Sequence, residues 1–284
     1  MRTVVFDYDG TLHETLRIYA PAFRENYAYM VSAGLLPARE IMDGEIASWL
    51  GYTAGDMWRE FAPGLTPEQA LAAGRRVQEG MQRRIRDGTA RLYPEVPEMM
   101  DRLKDEGYRL VFLSNCKTVY LEAHRKRFPL DRWFDAYYWA EAEDWRPKED
   151  ILRKIILESV EHARQDGLHE PEAGSPGLSA AAAVSPGLPG AAAGSAGFPG
   201  AAAASAGIEE KSAAASFREA AAGFAMVGDR FHDMQAAAVN GIPAIGCAYG
   251  YGTPQEFRTA AYVARSPADI PDLLRKLFSR TGRP

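Results

Sequence analysis

Thr3-Val4-Val5-Phe6-Asp7-Tyr8-Asp9-Gly10-Thr11-Leu12 carries a short apolar run straight into two acids and a glycine. That order predicts a buried strand over Thr3 to Asp7, followed by a tight loop. Acids two residues apart at a strand end can point into the same pocket. Two close carboxylates repel, and one pKa rises unless a cation binds. The pair can therefore supply a nucleophile, a proton donor and a metal site together. Taken alone, Asp7 to Leu12 also fits a plain strand-to-loop turn, since Asp-Gly is an ordinary turn signal.

Downstream of this stretch the pattern changes twice. From about Glu14 to Arg91, Leu16, Tyr19, Phe23, Tyr27 and Met30 recur at three- and four-residue spacing, which marks an amphipathic helix. Pro37 to Leu50, Ala54 to Phe61 and Pro67 to Arg86 continue in helical style, punctuated by Gly51, Pro63-Gly64 and Gly88. The block 14–91 reads as a separate all-helical unit inserted into the chain. After Pro94, strands and helices alternate. Strands are expected at Arg109 to Leu113, Ala136 to Ala140, Phe224 to Val227 and Pro243 to Cys247. Helices are expected at Pro94 to Glu106, Thr118 to Phe128, Glu149 to Arg164 and His232 to Asn240. Near-continuous apolar strands alternating with helices imply an α/β fold with a parallel sheet covered on both faces. Segments 1–13 and 92–284 would form this core.

One interruption stands apart. Ser175, Ser185, Ser195 and Ser205 recur every ten residues in an Ala-, Gly- and Pro-rich run, and no charged residue lies between Ala173 and Ile208. Large apolar side chains are too few there to build a stacked core. The segment 165–216 is expected to be a disordered low-complexity surface insertion within the core.

Three more features fall where the strands should end. Gly228-Asp229-Arg230-Phe231-His232-Asp233 follows an apolar strand and adds two acids, though Asp233 at a helix start also fits a simple cap. With the first pair they make a hard-oxygen cluster suited to Mg²⁺. Ser114-Asn115 closes another strand, where a hydroxyl and a backbone N–H can hold phosphate oxygens. Lys148, in Arg146-Pro147-Lys148, would act as a point charge beside a phosphate. In an open parallel sheet the ligand crevice lies at the carboxyl ends of the strands, so these features converge.

The bulk numbers agree. A net charge of −5 offers no basic footprint for nucleic acid or an acidic membrane surface. No apolar run approaches spanning length, and the N-terminus lacks a signal-peptide h-region. Cys116 and Cys247 form neither a metal spacing nor a disulfide framework, and they fit a reducing cytosol. A cytoplasmic location is the expectation.

The four motifs, in order, resemble those of the haloacid dehalogenase superfamily of phosphohydrolases: Asp7 to Leu12, Ser114 within Leu113-Ser114-Asn115, Lys148, and Gly228 to Asp233. The resemblance implies a Rossmann-like core, with the helical block as a cap of the kind found in the phosphoglycolate phosphatase-like branch. It implies that Asp7 attacks phosphorus and that Asp9 first donates and then accepts a proton. Mg²⁺ would be held by Asp7, Asp9 through its backbone carbonyl, and Asp229, with Asp233 supporting. Ser114, Asn115 and Lys148 would bind phosphoryl oxygens. The implied partner is a small phosphorylated metabolite. The acid at Asp9 disfavours dehalogenation, and the absence of lysine from Glu14 to Arg91 disfavours Schiff-base phosphonate chemistry. Arg230 and His232 are expected to support the metal site. His13, Arg17, Trp49 and Arg59 are candidates to face the substrate, although packing or surface roles account for each. A sugar-phosphate phosphomutase and a non-catalytic binding module on the same fold are the alternatives. Oligomeric state is not legible.

Overall fold

A computed structural model of the chain describes residues 2–167 and 214–280. Six parallel strands form one sheet: β1 Thr3–Phe6, β2 Arg109–Ser114, β3 Ala136–Trp139, β4 Phe224–Gly228, β5 Ala244–Cys247 and β6 Tyr262–Ala264. Their order is β3-β2-β1-β4-β5-β6. β1 therefore lies at the centre, paired to β2 and β4, with Phe6 in register with both Phe112 and Val227. The strand order reverses between β1 and β4, and in open α/β sheets that switch point is where the crevice opens.

Period-two alternation explains why both faces are covered. Val4, Phe6, Leu110, Phe112, Ala225 and Val227 pack into one core cluster. Their neighbours Val5, Val111, Leu113, Phe224 and Met226 pack into the other. Helices α5 Val96–Asp105, α6 Thr118–Arg127, α7 Leu130–Trp133, α8 Lys148–Gly167, α9 Phe231–Val239 and α10 Ile270–Arg280 surround the sheet. β6, α7 and α10 were not anticipated from sequence. β6 is only three residues long and partly exposed, so it carries little apolar signal.

The block after β1 is helical throughout: α1 Leu16–Ser32, α2 Asp43–Ser48, α3 Ala54–Phe61 and α4 Pro67–Arg86. It has its own core, built on Tyr19, Phe23, Met30, Ile46, Trp58 and Val77. Thr66 and Gln69 exchange hydrogen bonds across the first turn of α4, which starts that helix at Pro67. The helix expected from Pro37 to Leu50 is shorter, covering only Asp43–Ser48. Side chains of α1 claim the carbonyls that a longer helix would need: the Tyr27 hydroxyl donates to Pro37 O, and Arg24 Nη2 to Ile41 O at 3.0 Å.

The insertion expected at 165–216 lies outside the described residues, apart from 165–167 and 214–216, which are helical. Among the described residues, no helix is long and apolar enough to cross a membrane.

Candidate active site

The carboxyl edge of the sheet gathers the chemistry-bearing residues by simple topology. Asp7 directly follows β1, Ser114 closes β2 and Asp229 directly follows β4, while Lys148 opens α8 beyond β3. The Asp7 N–H donates to Val227 O at 2.9 Å, which carries the β1–β4 ladder one residue further and aims the acid at the crevice. Gly10 adopts φ +85°, and a Cβ there would sit 2.2 Å from Asp229 Oδ2. Only glycine lets the loop turn this close to the acid.

Asp7, Asp229 and Asp233 each offer a carboxylate oxygen within 4.8 Å of the others, and all three are buried. Lys148 Nζ bridges two of them, at 2.6 Å to Asp7 Oδ1 and 2.7 Å to Asp233 Oδ1. Asp233 also accepts from the Arg230 N–H at 3.0 Å through its other oxygen. One oxygen of Asp233 thus caps the first turn of α9 and the other faces Lys148. Asp229 sits deepest and accepts from the Tyr251 N–H at 2.7 Å.

Three buried acids, two of them on one ammonium, leave excess negative charge. Burial, reinforced by Asp233 and Asp9 against the opposing pull of Lys148, pushes the Asp7 carboxyl up to about 7. Burial together with Asp7 and Asp233 holds Asp229 far above the carboxylate range. Burial works against the charge on Lys148, but Asp233 and Asp7 outweigh it and its pKa rises. Hard oxygens converging on a charge-deficient point fit a divalent cation such as Mg²⁺.

This electrostatic balance has a measurable consequence. Asp7 is protonated in the folded state at pH values where the unfolded chain has released the proton, between 3.8 and about 7. The folded state then binds more protons, so stability falls as pH rises through that window. His124 and His232, whose pKa values burial lowers, act in the opposite direction near neutrality. The carboxyl's effect is therefore read against Asp7→Asn: relative to that variant, metal-free parent is expected to lose melting temperature from pH 5 to pH 8. Added Mg²⁺ should recover more at pH 8 than at pH 5. A metal-free parent that keeps or gains melting temperature relative to Asp7→Asn over this range would contradict the account.

Asp9 is held differently. Its Oδ1 accepts from Tyr120 Oη at 2.5 Å and Thr15 Oγ1 at 2.7 Å, with His13 Nδ1 at 3.5 Å. Burial opposes ionisation of Asp9, yet the hydrogen bonds from His13, Tyr120 and Thr15 keep its pKa below the usual value. With Oδ1 so engaged, Asp9 is left with Oδ2 to meet a ligand.

Asp7, Asp9, Ser114, Asn115, Lys148 and Asp233 line one small polar cavity. Asp229 lies behind it, fully buried. The Asn115 side-chain amide is spent on Gly51 O at 3.1 Å. Arg230 also lines this cavity; its guanidinium pairs with Glu256 at 3.1 Å and donates to Leu50 O, tying the loop after β4 to the helical unit. His232 lines the cavity. Of the residues considered as substrate-facing, Trp49 lines the neighbouring cavity. Arg17 and Arg59 pair with Glu14 and Asp56 on the surface. His13 is buried beneath Tyr8 and His124. The roles of Tyr120 and Thr15 at Asp9 went unread. Thr15 lies within reach of a local reading, six residues on. Tyr120 lies 111 residues away and carries no local signal.

Comparison with known proteins points the same way. Residues 1–164 match the family model of haloacid dehalogenase-like hydrolases. A 5′-nucleotidase of Pseudomonas aeruginosa is 23% identical over 169 residues, which cover 59% of this chain and 50% of the relative. The chain thus matches about half the length of that curated relative. The structure of a predicted phosphatase from Clostridium acetobutylicum aligns with a TM-score of 0.64 at 17% identity, covering 97% of this chain and 98% of that one. A predicted phosphoglycolate phosphatase from Haemophilus somnus aligns at 0.59 with 19% identity, covering 96% and 98%. At these identities the structural likenesses speak for the fold.

Proposed function

The chain belongs to the haloacid dehalogenase-like hydrolase family, and from that premise we propose that it is a Mg²⁺-dependent phosphatase acting on a small phosphomonoester through an aspartyl-phosphate. The observation that carries this reading is the buried triad of Asp7, Asp229 and Asp233 at the sheet's carboxyl edge, with Lys148 on Asp7. Asp7, the Asp9 carbonyl and Asp229 would hold the ion, supported by Asp233. When bound, the ion neutralises charge on the phosphoryl group and on the acids around it.

Asp7 forms a bond to phosphorus as the ester P–O bond breaks. Asp9, ionised in the free enzyme, takes up a proton when the phosphate dianion binds beside it and passes that proton to the departing alkoxide to give the alcohol. Asp9, now ionised, takes a proton from water as the water oxygen bonds to phosphorus. The bond to Asp7 breaks, and inorganic phosphate leaves. Ser114, Lys148 and the backbone at Asn115 bind phosphoryl oxygens. The helical unit acts as a cap that excludes water and meets the leaving group. The 5′-nucleotidase relative supports the phosphomonoester class. Phosphoglycolate, the substrate that the resemblance implies, is the reference compound for size.

Phosphate release from an aryl phosphate tests the reading. Release is expected with Mg²⁺, without any sugar bisphosphate primer, and is lost on chelation. Strict dependence on a primer would make the protein a phosphomutase. Full activity in chelator would remove the metal from the mechanism.

A further inference from the structure

Asp9 lies where two cavities meet. The polar one holds the acids and Lys148. The other, of about 160 Å³, opens between the helical unit and the segment after β2. A proton donor at that junction places the leaving oxygen between the cavities and the rest of the alcohol in the larger one.

The walls of the larger cavity are aromatic and thioether: Trp49, Tyr52, Met57, Trp58, Met81 and Tyr120. Apart from Asp9, Lys117 is its one charged lining residue, and its Nζ donates to Gln78 Oε1 at 2.9 Å. A glycolate leaving group would bring a second carboxylate into this surface, with only that engaged ammonium to meet it.

Two donors remain unanswered. The Nε1 atoms of Trp49 and Trp58 are buried with no hydrogen-bond partner among the described residues. Native interiors rarely leave such donors unpaired. Packing fixes Trp58, which stacks on Phe23 at 5.6 Å with the rings 5° apart and meets the edge of Phe61 at 5.8 Å. Its Nε1 faces Gly74 on α4, where an added Cβ would come to 3.6 Å. Gly74 also lines the cavity, so no side chain from that position stands between the buried indole N–H and the cavity wall.

We propose that this cavity binds the leaving group, and that the leaving group carries a planar heteroaromatic ring. The ring faces take the apolar walls, and ring nitrogens or carbonyl oxygens accept from Trp58 and Trp49. This assignment rests on the phosphatase reading for its orientation relative to Asp9.

The test compares esters of one primary alcohol that differ only in the ring: adenosine and uridine 5′-monophosphates against ribose 5-phosphate, with phosphoglycolate alongside. At least one ring-bearing ester is expected to exceed both ringless ones by about tenfold or more in kcat/KM. Trp58→Phe keeps the ring wall and removes the N–H; it should lower the ring-to-ringless ratio severalfold, mainly through KM. Binding to Asp7→Asn, followed by indole fluorescence, reads the cavity without turnover. Equal or better handling of the ringless esters would overturn the assignment while leaving the phosphatase standing. Ring-dependent binding without hydrolysis of any ester would sink the phosphatase reading and keep the cavity's ligand class. Neither ring-dependent binding nor ring-dependent turnover would end the proposal.

Discussion

Asp7→Asn is expected to abolish phosphate release, by roughly 10⁴-fold or more, the scale on which loss of a catalytic nucleophile registers. An amide has no nucleophilic oxygen to offer phosphorus. The variant should nevertheless fold, because the exchange is isosteric and relieves repulsion among three buried acids. Its metal-free melting temperature at pH 8 should equal or exceed that of the parent, since the folded parent holds a carboxyl displaced up to about 7. Loss of activity with stability kept separates a chemical role from a structural one. A variant that retains more than about a hundredth of parental activity would remove Asp7 from the nucleophile's role.

Lys148→Met should show a different pattern, failing in both activity and stability. Lys148 is buried and is the ammonium shared by Asp7 and Asp233. Removing it leaves two buried carboxyls without their counter-charge, an omission that typically costs about 3–5 kcal/mol. Urea titration of metal-free protein measures this directly. The cost should be greater at pH 8 than at pH 5, because at low pH the orphaned acids can take up protons instead. Turnover should also fall to background, since the phosphoryl group loses the ammonium that sits on Asp7. A loss below about 1 kcal/mol at pH 8 would mean that Lys148 does not balance the cluster.

The two substitutions probe residues whose legibility in the sequence differed. Asp7 and Asp9 were readable because their message is local. They follow a buried apolar strand, and a two-residue step at a strand end places both acids at one crevice. Lys148 was readable only through its place in an ordered set of motifs. By itself, a lysine before a helix looks solvated, yet here it is buried between two acids. Asn115 was read as a phosphate ligand through its backbone N–H; what the sequence did not signal is that its side-chain amide donates to Gly51 O, 64 residues away. The short helix at Asp43–Ser48 departs from expectation for a related reason. Helical periodicity says nothing about a neighbouring helix that claims the same carbonyls.

The sequence by itself determined the parallel α/β core, the inserted helical block and the acids at the strand ends. Strand alternation, helical spacing and strand-end position are all properties of nearby residues. Only the tertiary structure decided how the acids share one lysine, how Tyr120 and Thr15 hold Asp9, and what surrounds the leaving group. Those contacts join Asp9 to Tyr120 across 111 residues, Lys148 to Asp7 across 141 and Thr11 to Asp229 across 218. At such separations the chain carries no pattern, because closure is set by the packing of the whole sheet and its helices rather than by the residues that finally touch.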